Sequence, residues 1–495
     1  MSEIEQRLEE LERLGLSRRL RLVSGPQGPT VLLGGKPVLL LCSNNYLGLA
    51  DHPRVREAAA EAAMRWGVGA GSSRLVSGTM TIHGRLEERL AEFKGSEGCL
   101  LFGSGYLANI GVIGALAGRG DVIFSDELNH ASIVDGCRLS HAEVVVYRHR
   151  DVEQLDWSLR KHGRRDGGTR RLIVTDSVFS MDGDVAPLEA IAELADIHGA
   201  RVVVDEAHAT GNLGRGGRGA VAEAGLEGEM DVIVGTLGKA LGSYGAYACA
   251  SAEMIRYLVN TARPLIFSTA PSPPAVAGAL AALELLQERP HRVQRLRSNA
   301  RVLRRALAAE GFPAADTEMQ IVPLIVGDER AAMRLCQAAI ERGVFAQAIR
   351  PPTVAAGSSR LRLTAMASHT ASELEMAAGV LGDAARELGL DPASLKPALP
   401  ERVAAAQEIE RLELEYTELV AYAHDPSATG EGPVSAPFDL EQDTESIPAL
   451  TPALVAAGAP CAVEHAEDQA RASSSTAVPA APFDLERELE GIRAA

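Results

Sequence analysis

The sequence predicts an α/β protein built on a mostly parallel sheet, and three observations predict it. Short apolar runs alternate with helix-length stretches, as at Leu172–Thr175, Pro187–His198 and Val202–Val204. Two runs, Arg201–Val204 and Asp231–Gly235, are almost continuously β-branched, the pattern of strands covered on both faces. Glycine is abundant and aromatic residues make up only 4% of a 495-residue chain, which suits an alanine-rich layered architecture with room for more than one domain.

Taken in order, residues 1–49 read as an acidic amphipathic helix over Met1 to Leu16 followed by short strands. A large domain over 50–287 comes next. In it, Gly95–Leu101 leads into Phe102-Gly103-Ser104-Gly105-Tyr106-Leu107-Ala108-Asn109, a glycine-rich turn entering a helix with apolar Leu107, Ile110 and Ile113. The short strand Asp121–Phe124 precedes Asp126-Glu127-Leu128-Asn129-His130-Ala131-Ser132. The two β-branched runs end at Asp205-Glu206-Ala207-His208 and Thr236-Leu237-Gly238-Lys239, and the glycines at 242 and 245 suggest backbone brought close to a ligand. A smaller α/β domain over 288–390 carries strands at Ile321–Val326 and Leu361–Thr364. Residues 391–424 form a linker and a helix from Pro400 to Ala423, whose apolar Ile409, Leu412, Leu414, Leu419 and Val420 make a docking face.

Strand ends decide the chemistry. In open α/β sheets ligands collect at the carboxyl ends of strands, which puts Asp205 and Lys239 beside one crevice. A lysine there can join an aldehyde cofactor, and an aspartate can keep a pyridine nitrogen protonated so that the ring accepts electrons. The helix entered at Gly105 offers free first-turn N–H groups to a phosphate, and His130 can stack on a planar ring. Together these groups point to pyridoxal phosphate.

From about Leu11 to Leu390 the chain resembles the α-oxoamine synthases, a branch of the fold-type I pyridoxal phosphate transferases. The matching stretches are Cys42-Ser43-Asn44-Asn45-Tyr46-Leu47-Gly48-Leu49, Gly69 to Gly78, Asn129-His130-Ala131-Ser132, Val178 to Asp184, Asp205-Glu206-Ala207-His208 and Thr236-Leu237-Gly238-Lys239. The resemblance implies a seven-stranded-type sheet in the large domain and a smaller C-terminal α/β domain. It also implies decarboxylative condensation of an amino acid with an acyl thioester carried on coenzyme A or a carrier protein.

Roles follow from the same resemblance. Lys239 would hold the cofactor and then act as base, Asp205 would pair with the pyridinium nitrogen, and His130 would stack over the ring and touch substrate. His208 and Ser180 would bond the phenolic oxygen or the acyl carbonyl. Backbone groups of Gly105 and Tyr106 with the Thr236 hydroxyl would hold the phosphate. Asn45 would contact substrate. A homodimer is implied, with Ser268 and Thr269 reaching the neighbouring subunit's phosphate.

Ala348-Ile349-Arg350-Pro351-Pro352-Thr353-Val354 and Arg360-Leu361-Arg362-Leu363-Thr364 resemble the members that join L-alanine to a pimeloyl thioester. On that match Thr353 would touch substrate and Arg362 would hold the amino acid carboxylate through a planar pair of donors. Arg18, in the arginine-dense run Ser17 to Arg21, would meet the far carboxylate. Thr236 to Gly242 also fits the glycine-using relatives and does not discriminate, so a glycine-using or lipid-type synthase is the alternative.

Composition narrows the rest. Six scattered cysteines lack metal-ligand spacing, so neither a zinc site nor a disulfide framework is expected. No apolar run reaches membrane-spanning length and the acidic start is unlike a signal peptide, so a cytoplasmic location without membrane contact is expected. The net charge of −17 argues against a nucleic-acid partner. From Asp425 to Ala495 there are 13 acidic and 3 basic residues, a charge of −10 that leaves −7 for the preceding 424 residues. This acidic, Pro/Ala/Ser-rich tail has the composition of disorder. Within it Ala436-Pro437-Phe438-Asp439-Leu440-Glu441 recurs as Ala481-Pro482-Phe483-Asp484-Leu485-Glu486, either as a pair of docking motifs for a protein partner or as duplicated low-complexity sequence.

Overall fold

Residues 2–13, 16–162, 169–313 and 318–395 are described by the computed structural model; the predicted helix 400–423 and the acidic tail with its repeat lie outside them. The centre is a seven-stranded sheet in the order Gly98–Phe102, Ala246–Ala250, Val232–Thr236, Arg201–Asp205, Arg171–Asp176, Val122–Asp126, Glu143–Tyr147. Ala246–Ala250 alone runs antiparallel to its neighbours, so the sheet is mostly parallel, as the alternating pattern predicts.

Alternation along each strand feeds two separate cores. Phe124, Ile173, Val202, Val204 and Ile233 enter one, and Ile123, Leu172, Val174, Val203, Val232 and Val234 enter the other. Nearly continuous apolar strands are what this requires, because each side chain leaves water whichever way it points. Each such fully buried residue contributes about 1.5–3 kcal/mol. On one face helix Pro273–Glu288 packs against Pro53–Trp66 and Thr81–Lys94; on the other Gly105–Leu116 packs against Ala131–Ser140.

A third core belongs to the smaller unit. Ile321–Gly327, Ser359–Thr364 and Gln347–Ile349 form an antiparallel sheet, covered by helices His291–Ala309, Glu329–Glu341 and Ala371–Glu387. The N-terminal strands join this core, since Lys36–Leu40 pairs in parallel with Val344–Phe345, and Val31, Val38 and Leu40 pack with Leu335, Leu361 and Leu374. The N-terminal helix is Glu3–Arg13, and none of its residues is buried.

One expectation is corrected. The glycines at 242 and 245 suggested close approach to a ligand, yet Gly242 sits at φ +59° where a Cβ would run into the backbone of Leu49 and Ala50. Gly245, at φ +117°, packs on Leu237 and the carbonyl of Phe102. Both glycines let the chain pack on itself, because the turn after Lys239 must tuck under the Gly48–Ala50 segment.

Candidate active site

The strand ends deliver carboxylates in a row. Asp126, Asp176 and Asp205 terminate three adjacent parallel strands, with Asp176 directly opposite Asp205 in register. Asp205 is only 5% exposed; its Oδ1 accepts from the backbone N–H of Ala207 (2.7 Å) and its Oδ2 from Nδ2 of Asn109 (2.7 Å). Burial, and then the Asp205 carboxylate, push the carboxyl of Asp176 well above the usual range.

Asn109 ties two parts of the site together. Its Nδ2 also donates to Ser132 Oγ (2.8 Å), and that hydroxyl lies 2.7 Å from His130 Nδ1. Nδ1 accepts the Ser132 backbone N–H (3.2 Å), so it carries no proton of its own and the Ser132 hydroxyl donates to it. His130 Nδ1 is therefore an acceptor and Nε2 carries the proton. Burial lowers the pKa of His130, which keeps the ring in this neutral form.

Lys239 is held by His208. Its Nζ lies 2.8 Å from Nε2 of His208, whose Nδ1 lies 2.6 Å from the Tyr46 hydroxyl. Burial brings the Lys239 pKa down to about 8 against the pull of the Asp205 and Asp176 carboxylates. Burial and the charges of Lys239 and Arg362 hold His208 well below its ordinary value, so it is a neutral imidazole. Tyr46 in turn accepts from Arg362 Nη2 (3.2 Å) and donates to Asn44 Oδ1 (3.0 Å). Arg362 also donates to Asn44 Oδ1 (3.2 Å) and, through Nε, to the carbonyl of Ser180. Lys239, His208, Tyr46, Arg362 and Ser180 thus form one continuous chain of contacts.

A donor cradle completes the site. Ser104 caps helix Gly105–Leu116 by accepting from Leu107, leaving the N–H groups of Gly105 and Tyr106 as first-turn donors. A Cβ on Gly105 would lie 4.0 Å from that of Thr236, so Thr236 borders this helix start. The side chain of Tyr106 itself turns outward and donates to Asp135.

Other residues singled out in the sequence lie elsewhere. Asn45 bonds the backbone of Gln27, Leu49 and Ala50, and its neighbour Asn44 is the one that reaches Arg362. Arg18 and Thr353 are exposed. Ser17 accepts from Arg350 through its carbonyl (3.1 Å), and the charge of Arg18 acts on Arg350 after burial in lowering its pKa. Thr269 bridges to Ser73, and Ser268 bonds the carbonyl of Pro264. The sequence alone does not mark Tyr46, Asn44 or Asn109 as site residues. A signal existed for Asn109, the lone amide in the otherwise apolar helix Gly-Tyr-Leu-Ala-Asn-Ile-Gly-Val-Ile-Gly-Ala-Leu.

These groups fit pyridoxal phosphate: a buried amine of depressed pKa, a carboxylate fixed by two donors, a histidine with its outer nitrogen protonated, and helix-start N–H groups beside a hydroxyl for an anion. Comparison with known proteins agrees. Residues 36–381 match the aminotransferase class I and II family. The chain is 52% identical over 385 residues to the 8-amino-7-oxononanoate synthase of Geobacter sulfurreducens, covering 77% of this chain and 98% of that one. It is 51% identical over 392 residues to the same enzyme of Citrifermentans bemidjiense, covering 79% and 100%. Among solved structures, the S. paucimobilis serine palmitoyltransferase with a bound PLP–myriocin aldimine superposes with a TM-score of 0.74 at 34% identity, covering 78% of this chain and 97% of that one. The 8-amino-7-oxononanoate synthase from Francisella tularensis gives 0.61 at 25% identity, covering 71% and 99%. The chain belongs to the class I and II aminotransferase family and, within it, to the α-oxoamine synthases, pyridoxal-phosphate-dependent acyltransferases.

Proposed function

We propose that the enzyme condenses L-alanine with a pimeloyl thioester, on coenzyme A or a carrier protein, to give 8-amino-7-oxononanoate, carbon dioxide and the free thiol, a step of biotin biosynthesis. The observation that carries this reading is the 52% identity spanning 98% of a relative bearing that name.

Held at Lys239, pyridoxal phosphate supplies the electron sink that makes the amino acid α-carbon acidic. Lys239 Nζ takes the α-proton, and its pKa of about 8 suits a base working near neutrality. His208 Nε2, 2.8 Å away, stays neutral and orients Nζ by accepting its hydrogen bond. Asp205, fixed by Asn109 and the Ala207 N–H, would pair with the pyridinium nitrogen and keep it protonated. His130 presents Nε2–H to the acyl carbonyl oxygen, where negative charge develops as the carbon–carbon bond forms. Arg362 holds the amino acid carboxylate, oriented by Asn44, Tyr46 and the Ser180 carbonyl. Arg18 and Arg350, two guanidinium groups close enough to influence each other, form an anion-seeking end for the far carboxylate of the pimeloyl chain, with Thr353 in the adjoining turn.

The working unit is a homodimer. Met64, Val68, Val76, Tyr244 and Phe267 are exposed, and the segments bearing Val76 and Phe267 adjoin the Ser73–Thr269 bridge, so a second copy would cover an apolar surface that also carries Ser268 and Thr269. Among the described residues no helix is long and apolar enough to cross a membrane, and five cysteines are free thiols, in keeping with work in the cytoplasm.

A second reading has a specific observation behind it: serine palmitoyltransferase superposes more closely than the Francisella synthase, 0.74 against 0.61. One panel separates the two. L-Alanine, glycine and L-serine are each paired with pimeloyl-, succinyl- and palmitoyl-coenzyme A, and carbon dioxide release is followed. Alanine with the pimeloyl thioester should lead in kcat/KM by about tenfold or more, the range that pocket fit provides. Serine with the palmitoyl thioester, or glycine with any of the three, coming first would overturn the assignment.

A further inference from the structure

His149 lies outside the reaction centre and takes no part in the chemistry described above. Its side chain is 8% exposed, Nδ1 lies 2.9 Å from Asp126 Oδ1, and Nε2 lies 2.7 Å from Asp184 Oδ2. Ionised carboxylate oxygens only accept, so between two of them both ring nitrogens carry a proton and the ring is an imidazolium. The ring also stands edge-on to Phe179, centroids 4.3 Å apart at 87°.

The two carboxylates belong to different parts of the molecule. Asp126 ends strand Val122–Asp126 and also receives the backbone N–H groups of Leu128 and Arg150. Asp184 closes a tight loop in which Phe179 N–H bonds the Asp184 carbonyl and Gly183 N–H bonds the Phe179 carbonyl. That loop carries Ser180, whose carbonyl receives Arg362, and Asp182, which pairs with Arg360. Through His149 the sheet edge therefore holds the segment on which Arg362 is oriented.

We propose that His149 is a positioning residue: its imidazolium locks the Val178–Asp184 loop to the sheet, and so sets the presentation of Arg362 and Ser180 to the amino acid substrate. The proposal rests on reading Arg362 as the carboxylate anchor. Its corollary is a pH dependence. The charged groups facing His149 are Asp126 and Asp184, with Arg150 on the far side of Asp184 (3.3 Å) and Glu127 receiving the His149 backbone N–H (2.8 Å). Burial opposes the charge, but bonding to the two carboxylates outweighs it and raises the pKa to about 9. The lock holds below this value and opens as pH rises through it.

The test compares His149→Gln with the wild-type holoenzyme for L-alanine KM and kcat from pH 7 to 10. Taking the ratio of variant to wild-type KM cancels the titration of Lys239 and of the substrate amine. The ratio should be about tenfold at pH 7.5 and fall towards one near pH 10, with kcat changed less than about threefold, because both enzymes then lack the charged clamp. Asp184→Asn, which keeps the ring but removes one carboxylate, should move the wild-type alkaline limb below pH 9. A ratio that stays constant with pH, or lies within twofold of one at pH 7.5, overturns the proposal.

Thermal melting of the same proteins supplies a readout that does not depend on the substrate assignment. Wild type should lose stability relative to His149→Gln between pH 8 and 10, and parallel curves would count against the lock. If neither alanine nor any other amino acid is turned over, the function proposed above fails while the melting comparison still decides on His149. Should His149→Gln not fold, Asp184→Asn carries both measurements alone.

Discussion

Replacing Asn109 by alanine removes one buried amide and tests how the site is assembled. Asn109 is 1% exposed, and its Nδ2 donates at 2.7 Å to Asp205 and at 2.8 Å to Ser132. A hydrogen bond to a carboxylate is worth about 1.5–3 kcal/mol and one to a neutral hydroxyl about 0.5–1.5 kcal/mol. If the Asp205 bond is what fixes the carboxylate against the pyridinium nitrogen, its loss should lower kcat/KM by about 10- to 100-fold, at about 1.4 kcal/mol per decade. The assay is steady-state turnover together with a dialysis measurement of cofactor affinity, on protein whose Lys239 linkage is verified by visible absorbance. Ser132→Ala is the control. It breaks only the branch to His130, leaves Asp205 bonded, and should cost less than about tenfold on the same scale. Asn109→Ala within threefold of wild type, or Ser132→Ala more damaging than Asn109→Ala, would refute the reasoning, since the carboxylate would then be held without the amide.

The depressed pKa of Lys239 predicts that apoenzyme recombines with pyridoxal phosphate at a rate that rises with pH and levels just above about 8, because only the neutral amine attacks. A rate still climbing towards pH 10, near the value of about 10.4 for an ordinary lysine, would contradict this. Lys94→Met strands Glu206, since these side chains are 1% and 0% exposed and Lys94 also donates to Thr210 (2.8 Å). Breaking such a buried pair costs about 3–5 kcal/mol, so denaturant unfolding should show a loss of that order, with part of it recovered in the Lys94→Met, Glu206→Gln double variant. A loss under about 1 kcal/mol would mean the ion pair is worth no more than an exposed one.

Much of the fold was determined by the sequence itself, because the forces that make a buried strand or a helix start act over a few residues. Arg201–Asp205 and Val232–Thr236 lie where their apolar runs predict, and helix Gly105–Leu116 starts at the glycine-rich turn. A strand that ends at a carboxylate or just before a lysine places that group at the sheet edge whatever the rest of the chain does, so Asp205, Lys239 and His130 were legible as candidate site residues. What only the tertiary structure decided is which groups orient them. Tyr46 reaches His208 across 162 residues and Arg362 across 316, and Asn109 reaches Asp205 across 96. The glycine at 242 shows the same limit from the other side: a close approach to the backbone was readable from the glycine, but whether a ligand or Ala50 would stand there was not. The joining of the N-terminal strands to the C-terminal core follows likewise from Leu39 pairing with Val344, a contact between segments some 300 residues apart. Hydrogen bonds and packing between distant segments are selected by how whole layers stack, and no local periodicity encodes that choice.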